Sequence, residues 1–214
     1  MRILQKQKIL WISKPKTGST SVRKLLDRFA SIRSTGEKPF HHHATYPELQ
    51  AAFAERGWNI DEYQVFIGDR NPWALVASLW KYARTNAKYQ HQWEKDYDAS
   101  SPLLSFAEFL ALPRTWKWLR DRHALEVYTG PEPLPANIRV YDIGSQSDQL
   151  LADLSARVDK PLEALGQHNT SSYSEGDMAA IRAAYADPTV DEKMRKTFAR
   201  GIERFGYTNP FTPA

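Results

Sequence analysis

The stretch Lys8-Ile9-Leu10-Trp11-Ile12-Ser13-Lys14-Pro15-Lys16-Thr17-Gly18-Ser19-Thr20-Ser21 decides how the rest of the chain is read. Its first half is a short run of β-branched and aromatic residues bounded by turn-formers, the signature of a buried strand over Lys8 to Ser13. Its second half is a turn with a glycine, hydroxyls and two lysines. Beyond it Val22, Leu25, Leu26 and Phe29 recur at i, i+3, i+4, i+7, with Arg23, Lys24, Asp27 and Arg28 off that face, which predicts an amphipathic helix. A strand, a turn and a helix N-terminus in succession form an anion site, because free backbone N–H groups and the helix dipole converge there. Lys16 adds a movable positive charge, and Thr17, Ser19, Thr20 and Ser21 add hydroxyl donors. The alternative is a basic turn followed by a well-capped helix. The loop is not a Walker A motif, which requires a glycine five residues before its Gly-Lys pair.

Working outward, two further buried strands are expected at Tyr63 to Gly68 and Asn137 to Asp142, and a weaker one ending near His42. Helical spacing recurs at Leu75, Val76, Leu79, Tyr82 and Ala83, and as a stripe of Val190, Met194, Phe198, Ile202 and Phe205. Thr45-Tyr46-Pro47-Glu48 reads as a capping box opening a helix at Tyr46. Strands alternating with helices predict an α/β domain whose central, mostly parallel sheet is covered on both faces. Ligands in such sheets bind at the carboxyl ends of the strands, here just after Ser13, around His41 to His43, and just after Gly68. The segment from Asn86 to Pro102 has no clean period and reads as a long functional loop. Thr129-Gly130-Pro131-Glu132-Pro133-Leu134-Pro135 reads as a rigid connector.

The 214 residues are 42% hydrophobic and 25% charged, and no cysteine is present. Disordered and coiled-coil classes are excluded on composition, and disulfide scaffolds, cysteine nucleophiles and thiolate metal sites on the missing thiol. A formal charge of +4 suits an anionic ligand but is too small and too evenly spread to indicate nucleic acid. No apolar run approaches the ~20 residues of a membrane span, and no apolar stretch of a signal peptide follows the basic N-terminus. A cytoplasmic protein is expected.

A second anion site is read at Asp69-Arg70-Asn71-Pro72-Trp73, with Ser78 two turns into the following helix. Arginine forks onto phosphate oxygens and a serine hydroxyl can share them; alternatively Arg70 pairs with Asp69 and Ser78 is packing. Two such sites at strand ends suggest a ligand with phosphates at both ends.

In this combination the chain resembles the sulfotransferases that use 3′-phosphoadenylyl sulfate (PAPS), the carbohydrate-type family in particular. Lys14-Pro15-Lys16-Thr17-Gly18-Ser19-Thr20-Ser21 is similar to that family's 5′-phosphosulfate loop, and Arg70-Asn71-Pro72-Trp73 with Ser78 to its 3′-phosphate motif. His43-Ala44-Thr45-Tyr46-Pro47-Glu48-Leu49 and the ending Ile202-Glu203-Arg204-Phe205-Gly206-Tyr207 are like bacterial members. The likeness runs over Ile9 to Tyr82 and His168 to Tyr207. It departs at Asn71 and Ala74 or Leu75, where many relatives carry Asp and Arg, and at Asp69, where the strand usually ends in Val.

The resemblance implies a P-loop-like three-layer sandwich forming one domain over residues 1–214, with 86–134 as a family-unmatched segment on the acceptor side. It implies PAPS as co-substrate, adenosine 3′,5′-bisphosphate (PAP) as product, and no metal. The reaction is transfer of a sulfuryl group to an acceptor hydroxyl. His43 aligns with the family histidine and is the candidate general base. His41 is the fallback, since alternate residues on a strand share a face. A histidine metal site is the other reading of His41 to His43, but with six histidines and no cysteine further ligands are hard to find. Lys16 and the loop N–H groups would stabilise charge on the leaving oxygen. Gln167 to Ser172 resembles a loop closing over the nucleotide, making Asn169 and Ser171 donor-site candidates; the same residues could cap a helix beginning near Ser174. Trp80, Tyr89 and Trp93, with His41, are candidates for the acceptor side, since aromatic faces with polar edges suit rings; core and loop packing is the alternative. A saccharide hydroxyl is the first expectation for the acceptor, a small lipid or phenolic hydroxyl the next. A P-loop-type ATP-dependent kinase and a non-catalytic nucleotide-binding module are the competing readings.

Overall fold

The computed structural model describes residues 1–85, 104–165 and 172–212. In chain order the elements are β1 (Arg2–Leu4), β2 (Ile9–Ile12), α1 (Ser19–Leu26), β3 (Ile32–Arg33), α2 (Tyr46–Glu55), a 3-10 turn (Ile60–Glu62), β4 (Gln64–Asp69), α3 (Pro72–Thr85), α4 (Phe106–Ala111), α5 (Pro113–His123), α6 (Leu125–Thr129), β5 (Ile138–Asp142), α7 (Ser147–Val158), α8 (Glu175–Tyr185), α9 (Pro188–Thr197) and α10 (Ala199–Phe205). The chain divides into two compact units, Met1–Arg70 with Leu125–His168, and Asn71–Ala124 with Asn169–Ala214. Among the described residues no helix is long and apolar enough to cross a membrane.

The first unit is α/β. Its five-stranded sheet has the order β3-β1-β2-β4-β5. β2, β4 and β5 are parallel neighbours, and β1 runs antiparallel to both β2 and β3. The sheet is therefore mixed, with β1 alone against the common direction. β2 and β4 are apolar almost without interruption and buried along nearly all their length, as strands covered on both faces must be. On one face Ile9, Trp11, Phe66 and Tyr141 pack with Val22 and Leu26 of α1 and with Leu150, Leu154 and Val158 of α7. α2 begins at the expected capping box: Thr45 accepts from the Glu48 N–H, and the Glu48 carboxylate accepts from the Thr45 N–H. Phe53 of α2 meets the rings of Trp58 and Tyr63 edge-on.

The three strong strand expectations correspond to β2, β4 and β5 within a residue or two at each end. The weak one does not hold. No strand ends at His42; the edge strand is β3, and the chain then turns back on itself, with the Thr35 N–H on the Phe40 carbonyl and its hydroxyl on the Glu37 carbonyl. Only an isolated bridge joins Thr35 and His41. β1 was hidden by its charge: Arg2 sits in a buried strand because its guanidinium pairs with Asp27 at 2.5 Å.

Among the described residues the second unit is helical. Phe106 of α4 lies edge-on to Trp80 and Tyr185, and the Tyr185 hydroxyl donates to the Trp73 carbonyl at 2.8 Å. Lys81 pairs with Asp177 at 2.5 Å. The C-terminal apolar stripe is divided between two helices rather than one. Phe198, at φ −120° and ψ 25°, closes α9 and opens α10. Met194 and Phe198 are buried in this core, with Val190, Ile202 and Phe205 packed around it.

Candidate functional site

The loop after β2 is shaped by its own backbone. Lys16 and Gly18 both adopt positive φ, 61° and 67°. Gly18 is constrained twice, since a Cβ there would stand 3.0 Å from Cγ2 of Ile143. The same isoleucine abuts Gly68 of β4, where a Cβ would lie 2.9 Å from its Cδ1. Ile143, just beyond β5, thus seats the loop against the strand ends. The Lys14 carbonyl accepts from the hydroxyls of both Thr17, at 2.9 Å, and Ser19, at 2.7 Å. These hydroxyls, expected as ligand donors, fold the loop. α1 has Gly18 as its N-cap and so no side-chain cap on its first N–H groups, the arrangement that leaves a helix N-terminus to an anion.

Charge is distributed unevenly around this turn. Lys14 is 1% exposed, and its ammonium rests on the buried Asp69 carboxylate at the end of β4. The pairing follows from register: Ile12 is opposite Ile67 in the parallel ladder, so the residues two further on are neighbours. Lys16 has a different fate. It is half-buried, and burial first, then the nearby Arg70, pulls its pKa from 10.5 to about 8. Arg70 is tied to the loop directly, its Nη1 donating to the Lys16 carbonyl at 3.1 Å. Lys16 and Arg70, from the two motifs that the sequence singled out, therefore share one positive locus.

His43 faces the same strand end. Its Nδ1 lies 2.7 Å from the Ser13 carbonyl. A carbonyl can only accept, so Nδ1 carries the proton and Nε2 keeps its lone pair. Burial pulls the His43 pKa below 6.5; the Ser13 bond opposes this, while the N-terminal amine, Arg23 and His42 reinforce it. The ring is thus neutral at neutral pH with a basic nitrogen on the side away from Ser13. His41 is differently employed. Its Nδ1 accepts from the His43 N–H at 3.3 Å, and its Nε2 lies 3.2 Å from the Glu48 carboxylate. Both nitrogens are engaged in holding the turn, and the strand that would have placed His41 and His43 on one face is absent. Among the described residues no three His, Asp or Glu side chains are grouped to hold a metal ion.

Of the other candidates, Pro15, Thr20 and Ser21 lie in the loop and the first turn of α1. Ser78 is buried on α3 in the second unit, 1% exposed. Trp80 is 3% exposed and its Nε1 donates to the Leu104 carbonyl at 3.0 Å, so its ring belongs to that unit's core. Tyr89, Trp93, Asn169 and Ser171 lie outside the described residues. Sequence reasoning missed Asp69 as the counter-ion of Lys14, which the parallel register signals. It also missed Arg23, which the helix places one turn beyond Ser19. Comparison of the chain with protein-family models, with curated proteins and with solved structures finds no match.

Proposed function

We propose that the chain is a PAPS-dependent sulfotransferase with a P-loop-like three-layer fold, transferring a sulfuryl group to an acceptor hydroxyl. The observation that carries this reading is the bond from Arg70 to the Lys16 carbonyl. It sets the Arg70 guanidinium beside Lys16 where β2 and β4 end, in the same unit as a histidine whose Nε2 keeps its lone pair.

In this reading the uncapped N–H groups of α1 and the Lys16 ammonium receive the 5′-phosphosulfate, and Arg70 receives the other phosphate of the donor. The acceptor oxygen attacks sulfur in line and forms the new S–O bond. The bond from sulfur to the bridging oxygen breaks, PAP leaves with that electron pair, and the hydroxyl proton passes to Nε2 of His43. Charge builds on the bridging oxygen, which Lys16 and the loop amides would stabilise. The Asp69 carboxylate, the acid best placed to hold a magnesium ion at the end of β4, is occupied by Lys14. This favours a donor that needs no metal over ATP with magnesium. A saccharide is the first acceptor to test.

Calorimetric titration with PAP, ATP and 5′-AMP, each with and without magnesium, tests the donor. Metal-independent binding of PAP, weakened in Arg70→Ala, is the expected result, with Lys16→Ala lowering kcat more than donor affinity. Preference for ATP with magnesium would replace this reading by the kinase. PAP binding with no transfer from labelled PAPS to any acceptor, and the same in His43→Ala, would leave a nucleotide-binding module.

A further inference from the structure

Arg23 is a half-buried guanidinium with no carboxylate partner among the described residues. Its bonds go to neutral groups: Nε to the Ser19 carbonyl at 3.3 Å, Nη2 to the Thr20 hydroxyl at 3.3 Å, and Nη1 to Nδ1 of His42 at 2.9 Å. Asp27, the one acid whose charge acts on it among the described residues, is paired with Arg2 at 2.5 Å and approached by Arg33 at 3.9 Å. A guanidinium has five N–H groups; those three bonds leave one N–H on each terminal nitrogen for a further acceptor such as a carboxylate or sulfate oxygen. A half-buried cation whose hydrogen bonds all go to neutral groups is poorly compensated. Burial first, then the neighbouring Arg2, lower its pKa, and the Asp27 charge opposes them.

Its neighbours complete the picture. Nδ1 of His42 also receives the Ser34 hydroxyl, at 2.5 Å, and the Arg2 guanidinium reaches the same hydroxyl at 3.0 Å. With Nδ1 accepting, the His42 ring carries its proton on Nε2 and offers a further donor. Burial, then Arg23, keeps that ring below the ordinary histidine pKa. The centroids of His42 and His43 are 6.5 Å apart, a separation that one sugar or aryl ring spans. The whole arrangement lies on the flank of α1, between its first turn and the histidine turn.

We propose that Arg23, held against His42 beside the His43 ring, binds an oxyanion group of the acceptor, a carboxylate or a sulfate ester. This rests on the sulfotransferase reading for the word acceptor, while the anion site itself stands on Arg23 and its partners. The site makes the enzyme selective for acidic acceptors, by seating the anion one ring away from the hydroxyl that His43 deprotonates.

The test uses the full chain saturated with PAP, so that the loop is filled, and titrates sodium sulfate or sodium acetate against chloride at constant ionic strength. The His42 and His43 ring resonances report binding. Saturable shifts are expected, with binding weakened by about tenfold or more in Arg23→Gln. The better of the two salts identifies the oxyanion class. Arg23→Lys keeps the charge but not the guanidinium, so it weakens binding less and guards against a folding defect in the glutamine variant. Equal affinity in wild type and both variants, or no saturable shift, overturns the proposal. If PAP does not bind, the donor reading has failed. The salts are then titrated into the unliganded chain, where Lys16→Ala removes loop binding and Arg23→Gln alone removes the site proposed here.

Discussion

Lys16 and His43 are tuned in the same direction, and for the sulfotransferase proposed above this predicts a rate profile bounded on both sides. His43 must be neutral to accept a proton, so kcat/KM rises as pH climbs through a value held below 6.5 by burial. In that reading Lys16 is charged when it stabilises the leaving group, so kcat/KM is expected to fall again near pH 8. Bound donor favours the ammonium, so the alkaline limb moves upward in kcat relative to kcat/KM. Lys16→Arg should remove that limb from the accessible range, and an unchanged limb in that variant would dissociate it from Lys16. The Lys14 to Asp69 pair makes a separate prediction. Lys14→Met strands a buried carboxylate and should cost about 3 kcal/mol or more in urea unfolding, while Lys14→Met with Asp69→Leu should recover most of the loss. At this scale the loop was legible and the work of its side chains was not. Thr17 and Ser19 look like ligand donors in sequence, yet a carbonyl a few residues away is always within their reach. Lys14 and Lys16 look alike in sequence, and only the parallel register assigns one to a buried acid and leaves the other beside Arg70.

Elements with a complete local code were read almost to the residue. Thr45-Tyr46-Pro47-Glu48 states where α2 begins, and β2, β4 and β5 are compact apolar runs between turn-formers. Glu48 does more than cap. Its carboxylate also receives His41 and Lys38. Burial raises its pKa, but Lys38, the Thr45 N–H and hydroxyl, and His41 outweigh that and bring it from 4.5 to about 2. A depressed carboxylate stabilises the fold above its unfolded value and loses that contribution as pH falls from 4.5 toward 2. Glu48→Gln should therefore cost about 1 to 2 kcal/mol at pH 7 in urea unfolding and flatten the acid dependence over that window. Unchanged acid dependence would remove Glu48 from this role. Elements without a local code were missed. β1 is three residues, and its link to β2 through Gln5 to Lys8 turns at a positive φ on Lys8, not on a glycine. The break at Phe198 has neither proline nor glycine to mark it, and the apolar spacing runs through it unaltered.

Each of the two units is assembled from separate stretches of chain, which pass from one to the other at Arg70 and Asn71, at Ala124 and Leu125, and at His168 and Asn169. No Pro-, Gly- or Ser-rich linker stands at the first two crossings, so composition offers no sign of them. A chain ending at Ala124 retains β1 to β4 but lacks β5, and Val65, Phe66 and Ile67, wholly buried in the native sheet, lose the neighbour on one edge. That fragment should fail to give a dispersed amide spectrum, and a native-like spectrum would show that β5 is dispensable to the first unit. The same pairing has a consequence during synthesis. Gln64 and Asn137, bonded at the mouth of the β4 to β5 ladder, are 73 positions apart. At about 5 to 20 residues per second the ribosome needs about 4 to 15 s to deliver the missing strand. Through that interval a nascent chain carries an apolar strand with an unpaired edge, the form most open to capture by another chain. Synonymous codon changes between residues 70 and 137 should therefore alter the soluble yield without altering a single side chain.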